Sequence, residues 1–141
     1  MLLLLRLVLG VIFFAHGAQK AFGWFGGAGF HGTMHFFTAG LNIPAVFAVL
    51  AIVAEFAGGL GLIVGFLSRI AAFGITVVML VAIFKVHIAN GLLGSHGHSG
   101  YEFPLALLAL SFLILVRGAG PLSIDRALSR EKEHLVTPVL L

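Results

Sequence analysis

The chain has 141 residues, of which 60% are hydrophobic and only 9% are charged, whereas a soluble domain carries about 25% charged residues. This composition excludes an ordinary water-soluble domain, because there are too few charges to cover a solvated surface. The formal net charge of +3 comes from basic residues that are scattered or lie in the C-terminal tail. We therefore expect these positive charges to orient the chain toward anionic lipid, and we expect no binding to nucleic acid. The absence of cysteine excludes disulfides, thiol catalysis and thiolate metal sites within this chain.

The first apolar run covers residues 2–22 and is predicted to be a membrane-spanning helix. A cleaved signal peptide is the less favoured alternative, because no basic region precedes the run and three further spans follow. A glycine- and aromatic-rich stretch over 23–29 then interrupts regular structure. The next segment, 30–39, is too short to span a bilayer, so we place it as an interfacial or re-entrant piece.

Three further apolar runs are predicted to span the membrane, and they cover residues 44–67, 69–89 and 101–116. Pro44 suits the first turn of the second span, and Ser68 is predicted to cap the third. The last run is short for a span. The sequence therefore predicts an all-α protein, a four-transmembrane-helix bundle over 1–117 with a short interfacial helix between helices 1 and 2. A cytoplasmic tail is predicted over 118–141.

Lysine and arginine are unevenly distributed between the two predicted membrane sides. With a cytoplasmic N-terminus, six basic residues lie inside, namely Arg6, Arg69, Arg117, Arg126, Arg130 and Lys132. Only Lys20 and Lys85 then lie outside. By the positive-inside rule this bias predicts a multi-pass protein of the inner membrane with both termini cytoplasmic.

Glu55 lies near the middle of the second predicted span, where a carboxylate costs about 2.5–3.5 kcal/mol and needs a partner or a proton. Its helix face also carries small residues, namely Ala48, Ala51, Gly58, Gly59 and Gly65. Such a face packs against other helices, so Glu55 is expected to point toward protein. Two interpretations remain open: a structural ion pair or protonated group that joins helices, and a proton-carrying or ligand-binding group.

The first span carries a matching stripe, made of Arg6, Gly10, Phe13, His16, Gly17 and Lys20. His16 and Lys20 are one turn apart and can meet a common partner. A contact of Glu55 with His16, or with Lys20 reaching down, fits the depths of the two helices. The alternative for Lys20 is a side chain that snorkels to the membrane interface.

Lys85 and His87 in the third span lie two residues apart, hence on nearly opposite faces of a regular helix. We expect His87 to face the interior together with Asn90. Lys85 is expected to snorkel or to pair with Glu102 at the start of the fourth span. The alternative role of Glu102 is to favour the N-terminus of its own helix.

Four histidines of the predicted loops raise the question of a metal site: His31, His35, His96 and His98. The first two are spaced i, i+4, as two imidazole ligands on a helix can be. No carboxylate or thiolate completes a tight motif, so solvated loop histidines are the favoured interpretation. These four remain weak candidates, and neither a bound metal nor a haem is expected.

An ordered set of motifs, HGxQKxFG, ExxGGLxLxxG, SR, VHxxNG, GYE and GxGxxSID, extends over residues 4–128. Together they resemble the DoxX family of small bacterial membrane proteins. The resemblance implies four helices and association with respiratory or redox-stress systems. Its name-giving relatives resemble subunits of a thiosulfate:quinone oxidoreductase, and other members accompany quinone-detoxifying or superoxide-handling proteins. The family's motif positions fall here on His16, Gln19, Lys20, Glu55, His87, Asn90 and Glu102.

The leading hypothesis is a quinone- or quinol-interacting subunit of a membrane redox system, because histidine, lysine and glutamate near one bilayer face can serve a quinone head group. Quinone is the expected ligand, and the expected partner is a larger oxidoreductase subunit or a second copy of this chain. The alternative is a structural or assembly subunit whose polar residues only pack helices. A transporter is a third hypothesis, disfavoured because four helices leave little room for a pathway and no inverted repeat is visible.

Overall fold

The computed structural model describes residues 1–95 and 97–136, and every regular element within them is helical. The α-helices follow in chain order as α1 Leu2–Phe22, α2 Gly29–His35, α3 Ala45–Val64, α4 Ser68–Ala82, α5 Glu102–Arg117 and α6 Ile124–Val136. Three helical segments are long and apolar enough to cross a membrane, and they are Leu2–Phe22, Ala45–Val64 and Ser68–Asn90. The predicted all-α membrane bundle is confirmed.

The fourth predicted span corresponds to α5, which has 16 residues. At 1.5 Å per residue it is about 24 Å long, shorter than a hydrocarbon core of about 30 Å. Buried hydroxyl groups join it to α4, with Thr76 Oγ1 and Ser111 Oγ 2.9 Å apart. Near the start of α4, Arg69 donates a hydrogen bond to the Val116 carbonyl at 3.2 Å. These contacts show that α5 runs antiparallel to α4.

The four long helices pack in sequence order, α1 on α3, α3 on α4 and α4 on α5, whereas α1 and α5 touch only slightly. The buried core between them consists of Leu9, Phe13, Leu62, Ala72, Ile75, Met79, Leu107 and Ile114. We call the end of the bundle where α1 finishes and α3 starts the Lys20 end. The opposite end, where α1 starts and α5 finishes, is the Arg6 end. Large apolar side chains cover the outward faces, as contact with lipid requires.

Glycines bring α1 and α3 into close contact. A Cβ atom at Gly10 would lie 2.8 Å from Ile63 Cγ1, and one at Gly59 would collide with the backbone of Phe14. Gly17 approaches Phe56 equally closely. These positions confirm the small-residue packing faces that the sequence predicts, because only glycine leaves room for two helix backbones at this separation.

The connection from α1 to α3 contains the predicted short helix. Gly23 ends α1 in the left-handed region, with φ 74°, and a 3₁₀ turn over Trp24–Gly26 follows. α2 then continues through a π-helical turn, Phe36–Gly40. The combined segment is far too short to cross a membrane and lies against the Lys20 end, where it contacts α1 and α3.

The two ends of the third span differ from a regular, self-capped helix. The prediction that Ser68 caps α4 is wrong, because Leu67 holds the cap position and Ser68 is the first helical residue. At the other end, α4 passes into a π-helical turn, Ile83–His87, and a 3₁₀ turn, Ile88–Asn90. A π turn inserts an extra residue into the helical repeat and therefore changes which faces the following side chains occupy.

Candidate functional site

The candidate site is built on an ion pair between Lys20 Nζ and Glu55 Oε2. Lys20 lies in the last turn of α1, and Glu55 lies ten residues after the start of α3, about 15 Å along the helix axis. Glu55 is only 3% exposed, which confirms that it points toward protein. Lys20 is the cation that meets it. This is the one ion pair among the side chains of residues 1–95 and 97–131.

The close packing of α1 on α3 explains why these two charges meet. Gly17 lies against Phe56, so the backbones touch at the depth of Glu55. Lys20 follows Gly17 by about one turn and reaches back along the same interface. The carboxylate side chain is 4% exposed and that of the lysine 24%, so the pair is closed on the Glu55 side and open on the Lys20 side. An apolar environment strengthens the attraction between such charges.

His16 stands beside this pair but is not part of it. It is exposed on α1, one turn before Lys20, and contributes to the wall of the same groove as Lys20 and Glu55. Gln19 is half-buried and turns toward the following loop, where its Nε2 donates to the Phe25 carbonyl at 3.4 Å. His16 is therefore available to a ligand in the groove, whereas Gln19 positions the glycine-rich loop.

The groove beside the ion pair has a volume of about 1360 Å³ and lies along α3 and α4. Its polar end holds Lys20, Glu55 and His16, and most of the remaining surface is apolar. Phenylalanine side chains form part of the wall, namely Phe13, Phe36, Phe37, Phe47, Phe66, Phe73, Phe84 and Phe103. The groove can therefore hold an apolar molecule whose polar group lies against the ion pair.

The irregular end of α4 brings Lys85 and His87 to the wall of the same groove. In a regular helix they would lie on opposite faces, as the sequence predicts, but the helix is not regular here because residues 83–87 form a π turn. His87 Nδ1 lies 3.0 Å from the Ser99 carbonyl oxygen, and Asn90 Nδ2 donates to the same oxygen at 3.1 Å. His87 and Asn90 thus act together, as expected, but they hold the loop before α5.

Glu102 is exposed at the first position of α5, and its backbone N–H donates to the Leu92 carbonyl at 3.1 Å. Lys85 is also exposed, and the structure forms no ion pair between the two side chains. The suggested Lys85–Glu102 pair is therefore absent. The position of Glu102 agrees with its alternative role at a helix N-terminus.

Three of the four loop histidines lie on the surface of the structure, and they are distant from the ion pair in the sequence. His31 and His35 are exposed on α2, and His98 is exposed in the loop before α5. His96 lies outside the described residues. Within the described part of the chain, no three histidine, aspartate or glutamate side chains are grouped as metal ligands would be.

The comparisons with known proteins agree with this architecture. The family model described as DoxX matches residues 1–88. The chain belongs to the DoxX family. The match covers α1 to α4 and the π-helical turn Ile83–His87, and it therefore includes both members of the ion pair.

Two curated proteins resemble this DoxX chain over nearly its whole length. "Putative oxidoreductase CatD" of Bacillus subtilis (strain 168) is 28% identical over 132 residues, covering 94% of this chain and 90% of that protein. An uncharacterized protein of Haemophilus influenzae (strain ATCC 51907 / DSM 11121 / KW20 / Rd) is 30% identical over 131 residues, covering 92% and 83%. No solved structure matches the chain.

The Arg6 end of this DoxX protein holds a second polar cluster that no sequence pattern predicts. Arg6 is 1% exposed, and its guanidinium donates to the carbonyls of Ala119 at 2.9 Å and Leu122 at 2.8 Å. Asp125 accepts from the backbone N–H groups of Leu67 at 2.8 Å and Ser68 at 2.9 Å. The motifs SR and GxGxxSID contain Ser68, Ala119, Leu122 and Asp125, whereas Arg6 lies outside both motifs.

Proposed function

We propose that this DoxX protein is a quinone- or quinol-interacting subunit of a respiratory or redox-stress oxidoreductase system. The observation that carries the proposal is the position of the Lys20–Glu55 pair and His16 at the polar end of a large apolar groove. A quinone has the matching chemistry, since its ring and isoprenoid tail are apolar and its two carbonyl oxygens accept hydrogen bonds.

The polar residues have distinct roles in this proposal. Lys20 Nζ is a charged donor for one quinone carbonyl, and His16 offers a ring N–H from the same side of the groove. Glu55 holds the lysine in place and is a carboxylate that can accept or release a proton. A quinone supplies two-electron redox chemistry coupled to two protons, and we assign delivery of the electrons to a larger oxidoreductase partner.

The dimensions of the groove fit such a ligand. Pockets for small molecules usually measure about 300–1,000 Å³, and this groove, at about 1360 Å³, exceeds that range. The additional volume is apolar and runs along α3 and α4. A head group at Lys20 thus leaves room for part of an isoprenoid tail, which would continue into lipid.

The charge distribution supports an orientation for this site. Arg69, Arg117 and Arg126 lie with Arg6 at one end of the bundle, and Lys20 and Lys85 lie at the other. The positive-inside rule then places the Arg6 end in the cytoplasm. In this orientation both chain termini are cytoplasmic in the inner membrane, and the quinone site lies in the outer half of the bilayer. The name of the Bacillus relative, an oxidoreductase, supports a redox context.

The proposal can be tested by titrating the purified protein with a short-chain ubiquinone or menaquinone analogue and following Trp24, the single tryptophan. We expect saturable quenching, with affinity reduced about 10- to 100-fold in Glu55→Gln and in His16→Ala, the usual effect of losing a hydrogen bond that involves a charged group. Glu102→Gln and His31→Ala are matched controls and should bind as wild type, because both side chains are exposed away from the ion pair. Equal affinity in all four variants would contradict the proposal.

A structural or assembly subunit is the second candidate, and one observation favours it. Four polar side chains form hydrogen bonds with the backbone of this same chain, namely those of Arg6, Asp125, His87 and Asn90. Co-purification with a larger oxidoreductase whose activity is unchanged by Lys20→Met, Glu55→Gln and His16→Ala would support this candidate. Loss of quinone-dependent activity in those variants, with the complex intact, would exclude it.

A further inference from the structure

A second pocket lies at the Arg6 end, on the far side of the bundle from the proposed quinone site. It has a volume of about 530 Å³ and lies between the start of α4, the segment after α5 and the first turns of α6. Arg69 and Arg126 both contribute to its wall. Two arginines that face one cavity are typical of a site for phosphate or carboxylate groups.

One buried polar group in this pocket has no partner in the structure. Ser68 is 0% exposed and lines the pocket, and its hydroxyl oxygen makes no hydrogen bond. A buried hydroxyl without a partner is destabilising, so such groups are usually satisfied by a ligand or water. The hydroxyl can donate to an anion held by the arginines.

Asp125 also lines the pocket, and its negative charge must be considered. Both of its oxygens are occupied, one by the Leu67 N–H and the other by the Ser68 N–H. The carboxylate therefore compensates the positive N-terminal end of α4. Arg69 donates one hydrogen bond to the Val116 carbonyl at 3.2 Å, and its charge and remaining N–H groups are available, together with Arg126, for a ligand.

The rim of the pocket indicates where such an anion would come from. Leu67 and Ile70 line it and are 49% and 66% exposed. α4 begins and α5 ends here, so the pocket lies at the level of the lipid headgroups. Arginines beside exposed apolar side chains match a molecule with a phosphate and an acyl chain.

We propose that this pocket binds a phosphate group at the membrane interface, supplied by the headgroup of an anionic phospholipid. Arg69 and Arg126 hold the phosphate oxygens, the Ser68 hydroxyl donates to the same group, and Ile70 contacts the first part of an acyl chain. Its polar groups are separate from those of the proposed quinone site, because they lie at the opposite end of the helices, although Leu67 and Ile70 also line the far end of that groove.

The test uses the full-length protein in nanodiscs of phosphatidylcholine with a minor fraction of phosphatidylglycerol. Phosphatidylglycerol retained after detergent extraction is quantified by native mass spectrometry. We expect enrichment over the bulk lipid, reduced about five-fold by Arg126→Gln, from the interaction of one basic residue with anionic lipid. Arg126→Lys should retain most of it. Arg130→Gln is the matched control, because it removes the same charge one turn further along α6, outside the pocket.

A second measurement distinguishes a phospholipid headgroup from free phosphate as the source of the anion. It also tests the role of the buried Ser68 hydroxyl. Thermal unfolding of the detergent-solubilised protein is followed with inorganic phosphate alone and with short-chain phosphatidylglycerol. Stabilisation by the lipid, lost in Arg126→Gln and in Ser68→Ala but kept in Arg130→Gln, supports the proposal. The same pattern with inorganic phosphate alone supports the site and assigns free phosphate as its ligand. Equal lipid retention in Arg126→Gln and Arg130→Gln would overturn it, since the binding would then depend only on net charge.

Discussion

Replacing Lys20 by methionine tests the ion pair on which the site is built. The substitution keeps the apolar stem of the side chain and removes its charge, so Glu55 is left without a counter-charge. Breaking a fully buried pair costs about 3–5 kcal/mol, and an exposed pair contributes about 0–1 kcal/mol. The Glu55 side chain is 4% exposed and the Lys20 side chain 24%. We therefore expect Lys20→Met to lower the free energy of unfolding by about 2–3 kcal/mol.

A double-mutant cycle with Glu55→Gln isolates the interaction energy between Lys20 and Glu55 from the contributions that each side chain makes with other groups. Glu55→Gln alone should cost less than Lys20→Met, because the freed lysine can extend toward the interface while the freed carboxylate cannot move. The double variant should be about as stable as Glu55→Gln. The resulting coupling energy is then about 2–3 kcal/mol, equal to the full cost of Lys20→Met alone.

The assay is reversible unfolding of the purified protein in mixed micelles, followed by circular dichroism and by the fluorescence of Trp24. Lys85→Met is the control, since it removes an exposed lysine from the same end of the bundle, and it should change stability by less than about 0.5 kcal/mol. Additive effects of Lys20→Met and Glu55→Gln, with no coupling, would refute a stabilising ion pair.

Three further predictions concern the scaffold. Gly59→Ala should lower stability by about 1–3 kcal/mol in the same assay, because its Cβ would collide with α1. Gly58→Ala should have little effect, since its nearest neighbour is Ile75 Cδ1 at 3.5 Å, and equal costs would contradict this packing. Asp125→Ala should cost about 1–2 kcal/mol by removing the acceptor at the start of α4, and an unchanged stability would show that the cap contributes nothing. His87→Ala should speed amide exchange in the loop before α5, measured by mass spectrometry; unchanged exchange would show that the contact of His87 with the Ser99 carbonyl does not hold this loop.

The sequence was sufficient to predict the four long helices, the short helix between the first two, and the direction in which Glu55 points. Its carboxylate must be sheltered in lipid, and the small residues on its face show which side packs against protein. His16 and Lys20 were both predicted as candidate partners for this group. The choice between them depended on the reach of each side chain and on the depth at which Gly17 meets α3, which helical periodicity does not specify.

Contacts between distant segments could not be predicted in this way. Asp125 caps α4 from 57 residues away, and Arg6 binds a carbonyl 113 residues away. Neither pairing leaves a periodic pattern in the sequence. The π turn at Ile83–His87 was also missed, because a sequence pattern gives the average helical repeat and not a local insertion.

The central claim is that the ion pair forms the polar end of a quinone-binding groove, and photo-labelling tests it most directly. The protein in lipid is irradiated with an azido-substituted quinone, and labelled peptides are identified by mass spectrometry. We predict labelling concentrated on the groove-facing parts of α1, α3 and α4 around Glu55, competed by unmodified quinone and reduced in Glu55→Gln. Labelling spread evenly over the lipid-facing surface, or unaffected by competition, would contradict the claim.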